Sequence, residues 1–276
     1  MFRSLLCLLL LLLSVAPAIA ANPFPEAAIA YLVKTPDNPG NPDWAQQADR
    51  RLPPASLTKV MTALLVLETT SPAAVVTITQ ASAAETGSRL KLRAGDSFLV
   101  RDLLAAMLIR SANDAAHALG VHLAGSEAAF AKMMNQRAAK LGLRNTHFTN
   151  AAGHDHPQHY STANDLARIA QEALKHPMFR DLVATAQYTI KPLNRDESYP
   201  MENSNKLLTK YEGMLGVKTG YTSKAGRCLI ALAERDGQKV LLVLLNAPQR
   251  WESAAAMLDR AFAQKTSQLS HQPAQQ

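Results

Sequence analysis

Cysteine is nearly absent from this 276-residue chain, which has two. Cys7 lies in the first twenty residues, so removal of that segment leaves Cys228 alone. No intramolecular disulfide can then form, and the fold must draw its stability from its core. Aromatic residues are scarce at 5%, and charged ones make up only 18%. No Lys/Arg stripe interleaves with aromatics, which argues against a nucleic-acid partner. Beyond residue 20 no apolar run approaches the roughly 20 residues that span a bilayer. No internal repeat is evident.

What is present begins with a targeting pattern. Arg3 supplies a positive start, Leu5 to Val15 an apolar core, and Ala18-Ile19-Ala20 a small-residue cleavage site. The run is short for a span, so cleavage near Ala20, export to the periplasm and no stable membrane anchor are expected. Losing Arg3 takes the formal charge from +7 to +6. A basic exported protein suits anionic envelope polymers, though ordinary solubility explains the same charge. Hydrophobic residues at 47% allow a sizeable core.

Periodicity gives an order of strand, helices, strands, helix. Strands are expected at Ala27 to Val33, Val75 to Thr79 and the alternating Arg89-Leu90-Lys91-Leu92-Arg93. Helices follow over Leu103 to Ile109 (capped by Asp102), Ala115 to Leu123, Phe130 to Leu141 and Asp165 to Leu174, the last stopped before Pro177. Ala186 to Lys191 and Leu215 to Thr222 read as strands, and Leu229 to Glu234 with Val240 to Asn246 as a hairpin around Asp236-Gly237. A helix from about Trp251 to Ala263 precedes a Gln/Ser-rich tail, 265–276, expected to be disordered. The pattern predicts an α/β (α+β) body whose sheet is completed late, with a helical insert at about 80–190.

The chain is organised around Ser56-Leu57-Thr58-Lys59, after Pro53-Pro54 and ahead of an apolar run, which reads as a helix start. Residues three apart share a helix face, so Ser56 and Lys59 can touch. A serine becomes a nucleophile when a neighbouring base takes its proton, and a lysine is that base when burial lowers its pKa. Ser111-Ala112-Asn113 lies between two helices and can turn a hydroxyl and an amide into one cleft, although both are ordinary loop residues. Lys218-Thr219-Gly220 sits on a strand that can pair with an extended peptide while its cation attracts a carboxylate; a lysine-protected edge strand looks the same. Arg250, before the last helix, can bind a terminal carboxylate or stand as an exposed charge.

Together, Ser-x-x-Lys, Ser-x-Asn and Lys-Thr-Gly match a known catalytic set. The sequence resembles the low-molecular-mass penicillin-binding proteins, serine-type D-alanyl-D-alanine carboxypeptidases. Leu90-Lys-Leu-Arg-Ala-Gly, Gly142-Leu-Arg-Asn-Thr-His-Phe, His159-Tyr-Ser-Thr and Gly216-Val-Lys-Thr-Gly-Tyr-Thr extend the likeness over roughly residues 25–263. The resemblance implies a mostly antiparallel sheet flanked by helices plus a helical subdomain, with the site between them. It implies Ser56 as nucleophile, Lys59 as base, Ser111 as proton relay and Asn113 as substrate-positioning amide. Lys218 and Thr219 would hold the substrate carboxylate, with Gly220 letting the ligand approach. Backbone N–H groups of Ser56 and Tyr221 would form the oxyanion hole, and Arg250 would add a carboxylate contact. Peptidoglycan stem peptides are the implied substrate and β-lactams the inhibitors, with no metal or organic cofactor. Endopeptidase cleavage of crosslinks, or a β-lactamase-like hydrolysis, are the alternatives.

Many members of that family carry a β-rich domain and an anchoring helix after the catalytic domain. The catalytic domain is expected to end at about residue 264, close to the end of this chain, so no C-terminal β-domain is expected. The loop from Gly153 to His159 is a further departure: His154, His156 and His159 with Asp155 are zinc-ligand types. The resemblance implies no metal there.

Overall fold

The structure, a computed structural model, describes residues 23–36 and 43–270, with side chains left out for 265–270. The expected signal segment and the last six residues of the tail lie outside the described residues. Five strands form one antiparallel sheet: β1 (Ala30–Lys34), β2 (Trp44–Gln46), β7 (Met214–Thr222), β8 (Gly226–Arg235) and β9 (Gln238–Leu245), in the order β2-β1-β9-β8-β7. Between β2 and β7 lie two two-stranded ribbons, β3 (Val75–Thr77) with β4 (Ser97–Leu99) and β5 (Gln187–Ile190) with β6 (Tyr199–Glu202). The same stretch holds helices α1 (Lys59–Thr69), α2 (Gln80–Ala83), α3 (Val100–Ala105), α4 (Asn113–Ala124), α5 (Glu127–Lys140), α6 (Ala163–Ala173) and α7 (Pro177–Ala184), and α8 (Arg250–Ser270) follows the sheet.

The sheet is buried on both faces, which is why β9 reads Val240-Leu241-Leu242-Val243-Leu244-Leu245 without a polar break. Side chains alternate across it. Ala30, Leu32, Ile230, Leu232, Leu241 and Val243 join the larger core, with α1 and α6. Tyr31, Val33, Leu229, Ala231, Leu242 and Leu244 join the smaller one, with Met257, Leu258 and Ala261 of α8. The β8–β9 hairpin closes through Asp236 (φ 51°) and Gly237 (φ 72°), the left-handed pair that a two-residue turn demands. α1 is buried along most of its length, from Lys59 through Val66, as befits a helix enclosed on all sides.

Three expectations need correction, and one helix is added. Arg89 to Arg93 forms no strand: Leu92 is buried, but the backbone N–H groups of Leu90 and Leu92 donate to the Asp114 carboxylate (3.3 and 3.0 Å) instead of a ladder. Lys91 there has φ 61°, outside any strand conformation. Asp102 does not cap α3, because the helix starts directly from β4 at Val100 and Asp102 becomes a first-turn acid. The preceding helix ends at Ala173, before Pro177 as expected, but Pro177 opens a further helix that the pattern does not include, since its missing N–H is harmless at the first position. The last helix continues past Ala263 to Ser270, where no Gly or Pro interrupts the bond ladder.

Candidate active site

Pro54 and a 3₁₀ turn, Ala55–Thr58, deliver the chain into α1. This tight turn puts Ser56 one helical turn ahead of Lys59, and Lys59 Nζ lies 3.0 Å from Ser56 Oγ. Lys59 is fully buried. Its Nζ also donates to Asn113 Oδ1 (2.8 Å) and to the carbonyl of Ala152 (2.6 Å). Both of those oxygens can only accept. A neutral amine has two N–H groups and one lone pair. With the two N–H groups committed, the lone pair is left facing Ser56, and the hydroxyl must donate to it. The environment favours that neutral form: burial lowers the Lys59 pKa from 10.5 to about 7, against the opposing pull of Glu85 and Asp114.

Asn113 is held for this role from both sides. Its Nδ2 donates to the Thr86 carbonyl (2.6 Å) and its backbone N–H to the Ser88 carbonyl (2.7 Å). The approach to it is irregular. After α3 the chain widens into a π-helical turn, Ala106–Arg110, and the Ala112 N–H reaches back to the Ala106 carbonyl. Such a widened turn is a frequent mark of functional positions. Ser111 ends it in the left-handed region (φ 65°), 7% exposed, and Asn113 two residues on meets Lys59 at the α1 start.

β7 forms the other wall. Among the described residues it is an edge strand of the sheet, paired only with β8. A Cβ added to Gly220 would come within 3.2 Å of Ser56 N and 3.1 Å of the Pro54 carbonyl, so the strand backs directly onto the Ser56 turn. Gly153 closes the third side: with φ 90°, a Cβ there would meet the Ala55 carbonyl. Lys218 is buried at 1% exposure, and its Nζ donates to the Thr219 carbonyl at 3.0 Å. Burial, then Lys59 and Arg250, push its pKa well below the ordinary value. Thr219 shares a hydroxyl contact of 2.7 Å with Ser204. Tyr221, 65% exposed, leaves the wall for solvent.

Arg250 lies beside this strand, where its Nη1 donates to the carbonyls of Gly220 (2.9 Å) and Cys228 (3.2 Å) and its guanidinium stacks on Trp251. These bonds tie β7, β8 and the start of α8 together. The three histidines of the 153–159 loop do not converge. His154 meets Glu85, His156 accepts from the Gln158 N–H, and His159 is buried against Thr58 and Thr149. Desolvation, aided by the neighbouring histidines and Lys59, drives the His159 pKa down to about 3, so it packs as a neutral ring.

Sequence reasoning missed the groups that surround these side chains: the Ala152 carbonyl, Glu85 and Asp114 acting on Lys59, the Thr86 carbonyl holding Asn113, and Ser204 on Thr219. Backbone carbonyls leave no sequence signal. Asp114 alone had one, as an acid beside Asn113 at a helix start.

A family profile described as D-alanyl-D-alanine carboxypeptidase matches residues 36–249. The D-alanyl-D-alanine carboxypeptidase DacF of Bacillus subtilis is 35% identical over 87% of this chain and 63% of its own length. A D-alanyl-D-alanine endopeptidase of Pseudomonas aeruginosa is 32% identical over 87% of this chain and 80% of its own. The crystal structure of the Streptomyces K15 DD-transpeptidase is similar at a TM-score of 0.81 and 34% identity, covering 86% of this chain and 97% of that one.

Proposed function

The chain belongs to the D-alanyl-D-alanine carboxypeptidase family, and from that premise we propose that it removes the terminal D-alanine of peptidoglycan stem peptides through an acyl-enzyme on Ser56. The observation that carries the mechanism is the set of three partners around Lys59 Nζ. Ser56 Oγ gives its proton to the neutral amine and attacks the carbonyl carbon of the D-Ala–D-Ala bond. The tetrahedral oxyanion sits between the backbone N–H groups of Ser56 and Tyr221; one such donor is typically worth about 10²–10³ in rate. Ser111 passes a proton to the leaving amine, D-alanine departs, and water releases the shortened peptide. Asn113 positions the substrate amide while fixing Lys59.

Lys218 and Thr219 receive the substrate carboxylate. The electrostatics support this. Lys59 has two acids pulling its pKa upward, whereas the charges acting on Lys218 are all cationic. An arriving carboxylate is the missing counter-charge for a buried amine. Arg250 contributes by holding the Gly220 carbonyl and adding positive field. β-Lactams, which resemble the substrate, acylate the same hydroxyl. The catalytic unit spans 21–264 with its helical subdomain at about 80–190, and residues 1–20 act as a signal for the periplasm. No helix among the described residues is long and apolar enough to cross a membrane.

Mass spectrometry of penicillin-treated protein tests the assignment: the adduct must map to the peptide containing Ser56 and disappear in Ser56→Ala. An adduct elsewhere refutes it. The Pseudomonas relative favours one second reading, cleavage of crosslinks. Digestion of muropeptides separates the two, as loss of terminal D-alanine or conversion of dimers to monomers.

A further inference from the structure

Three separate segments bring Glu85, His117 and Glu127 together, each with a side-chain ligand atom within 4.8 Å of the others. Glu85 follows α2, His117 lies on α4, and Glu127 opens α5. Two features point to a bound ion. First, Glu127 Oε1 is buried and has no hydrogen-bond partner among the described residues, although a carboxylate oxygen is costly to bury unmatched. Second, the imidazole is fixed from outside the cluster. His117 Nδ1 lies 2.9 Å from Ser82 Oγ, which lies 2.9 Å from Thr79 Oγ1. That contact occupies Nδ1 and leaves Nε2 as the ring nitrogen available to an ion, and with the proton on Nδ1 this is the outer-sphere arrangement that metal-binding histidines use. Glu85 is braced in the same manner, with His154 Nε2 at 2.8 Å from its Oε2.

We propose that Glu85, His117 and Glu127 form a site for a divalent transition-metal ion of the zinc class, with a fourth position open to water. One imidazole and two carboxylates suit zinc better than calcium or magnesium, which take oxygen ligands. Ligand atoms around a tetrahedral zinc stand about 3.4 Å apart for bonds near 2.1 Å. The three ligand atoms, within 4.8 Å of one another, therefore need to close by at most about 1.4 Å when the ion enters. The ion pins residues 85–88 against α4. Those residues include Thr86 and Ser88, whose carbonyls hold Asn113. The site is thus separate from the substrate cleft but shares a segment with it, and it uses none of the histidines that the sequence singles out except the bracing His154.

Tag-free protein stripped with EDTA is titrated with zinc chloride by calorimetry. One ion per chain is expected, with binding at least tenfold weaker in His117→Ala and in Glu127→Gln and unchanged in His156→Ala. Zinc raises the melting midpoint of the wild type but not of the first two variants, and melting in EDTA checks that each variant folds. A zinc-soaked crystal of the wild type supplies a readout that needs no variant: anomalous density must lie among the three side chains. No saturable binding, binding undiminished in both variants, or density elsewhere overturns the proposal.

Discussion

If Lys59 takes the Ser56 proton, acylation follows the neutral fraction of one buried amine. At its ordinary pKa of 10.5 a lysine is neutral in about one molecule in 3,000 at pH 7. With burial lowering it to about 7, half the molecules carry a competent base. The difference corresponds to about 5 kcal/mol of preference for the neutral form. Deprotonation proceeds as pH rises, so the rate must rise with pH. Well below pH 7 it falls about tenfold per unit, and at pH 5 the second-order rate constant should be about fiftyfold below its value at pH 7. Stopped-flow labelling with a fluorescent penicillin under limiting reagent reports this free-enzyme quantity between pH 5 and 9. A flat profile, or a limb centred near pH 10, would falsify the claim that Lys59 is the base, whatever happens at Ser56.

Asp114→Asn removes one of the acids that raise the Lys59 pKa and weakens the acceptors for Leu90, Leu92 and Ala115 N–H. The rate limb should move to lower pH, and the lost bonds should cost about 1–3 kcal/mol, read as a lower melting midpoint. An unmoved limb would show that Asp114 does not act on Lys59. Gly220→Ala places a methyl 3.1–3.2 Å from Pro54 O, Ala55 Cβ and Ser56 N. The turn must shift by a few tenths of an ångström, and acylation should drop about tenfold or more with little change in melting; undiminished acylation would mean the strand does not set the turn. His159 is held at about 3 against an ordinary 6.5, so between those values the unfolded chain binds the extra proton. Stability should therefore fall as pH drops from 6.5 towards 3, by about 1.4 kcal/mol per unit. Urea unfolding of His159→Asn should show a shallower acid slope, and an identical slope would clear His159 of the effect.

The parts of the molecule legible in the sequence are those where one physical demand dominates. β9 announces itself because a strand buried on both faces can carry nothing polar, and the β8–β9 turn because only Asp-Gly-like pairs take two left-handed residues. The Ser56–Lys59 contact is a matter of spacing on one turn. Arg89 to Arg93 shows the limit. Its alternation is real, since Leu92 is buried between exposed Arg and Lys residues, but alternation reports burial and not what receives the backbone N–H groups. Here a carboxylate 22 residues away receives the Leu92 N–H, and no local pattern encodes that partner. β2 and β4, three residues each, are too short for a period to register.

The same limit governs the site itself. Ser56, Lys59 and Lys218 are visible as residue types, yet the property that suits Lys59 to the proposed role of base is its isolation from water and its two carbonyl-type acceptors. One acceptor is the Ala152 backbone, placed by Gly153, whose left-handed φ lets the loop press against the Ala55 carbonyl. Any side chain at that glycine would push the Ala152 carbonyl away and open the amine to water. The lysine would then keep its proton, and an intact set of motifs would stand over an inert serine. The chemistry is therefore written less in the three motifs than in the loop between them that carries no motif.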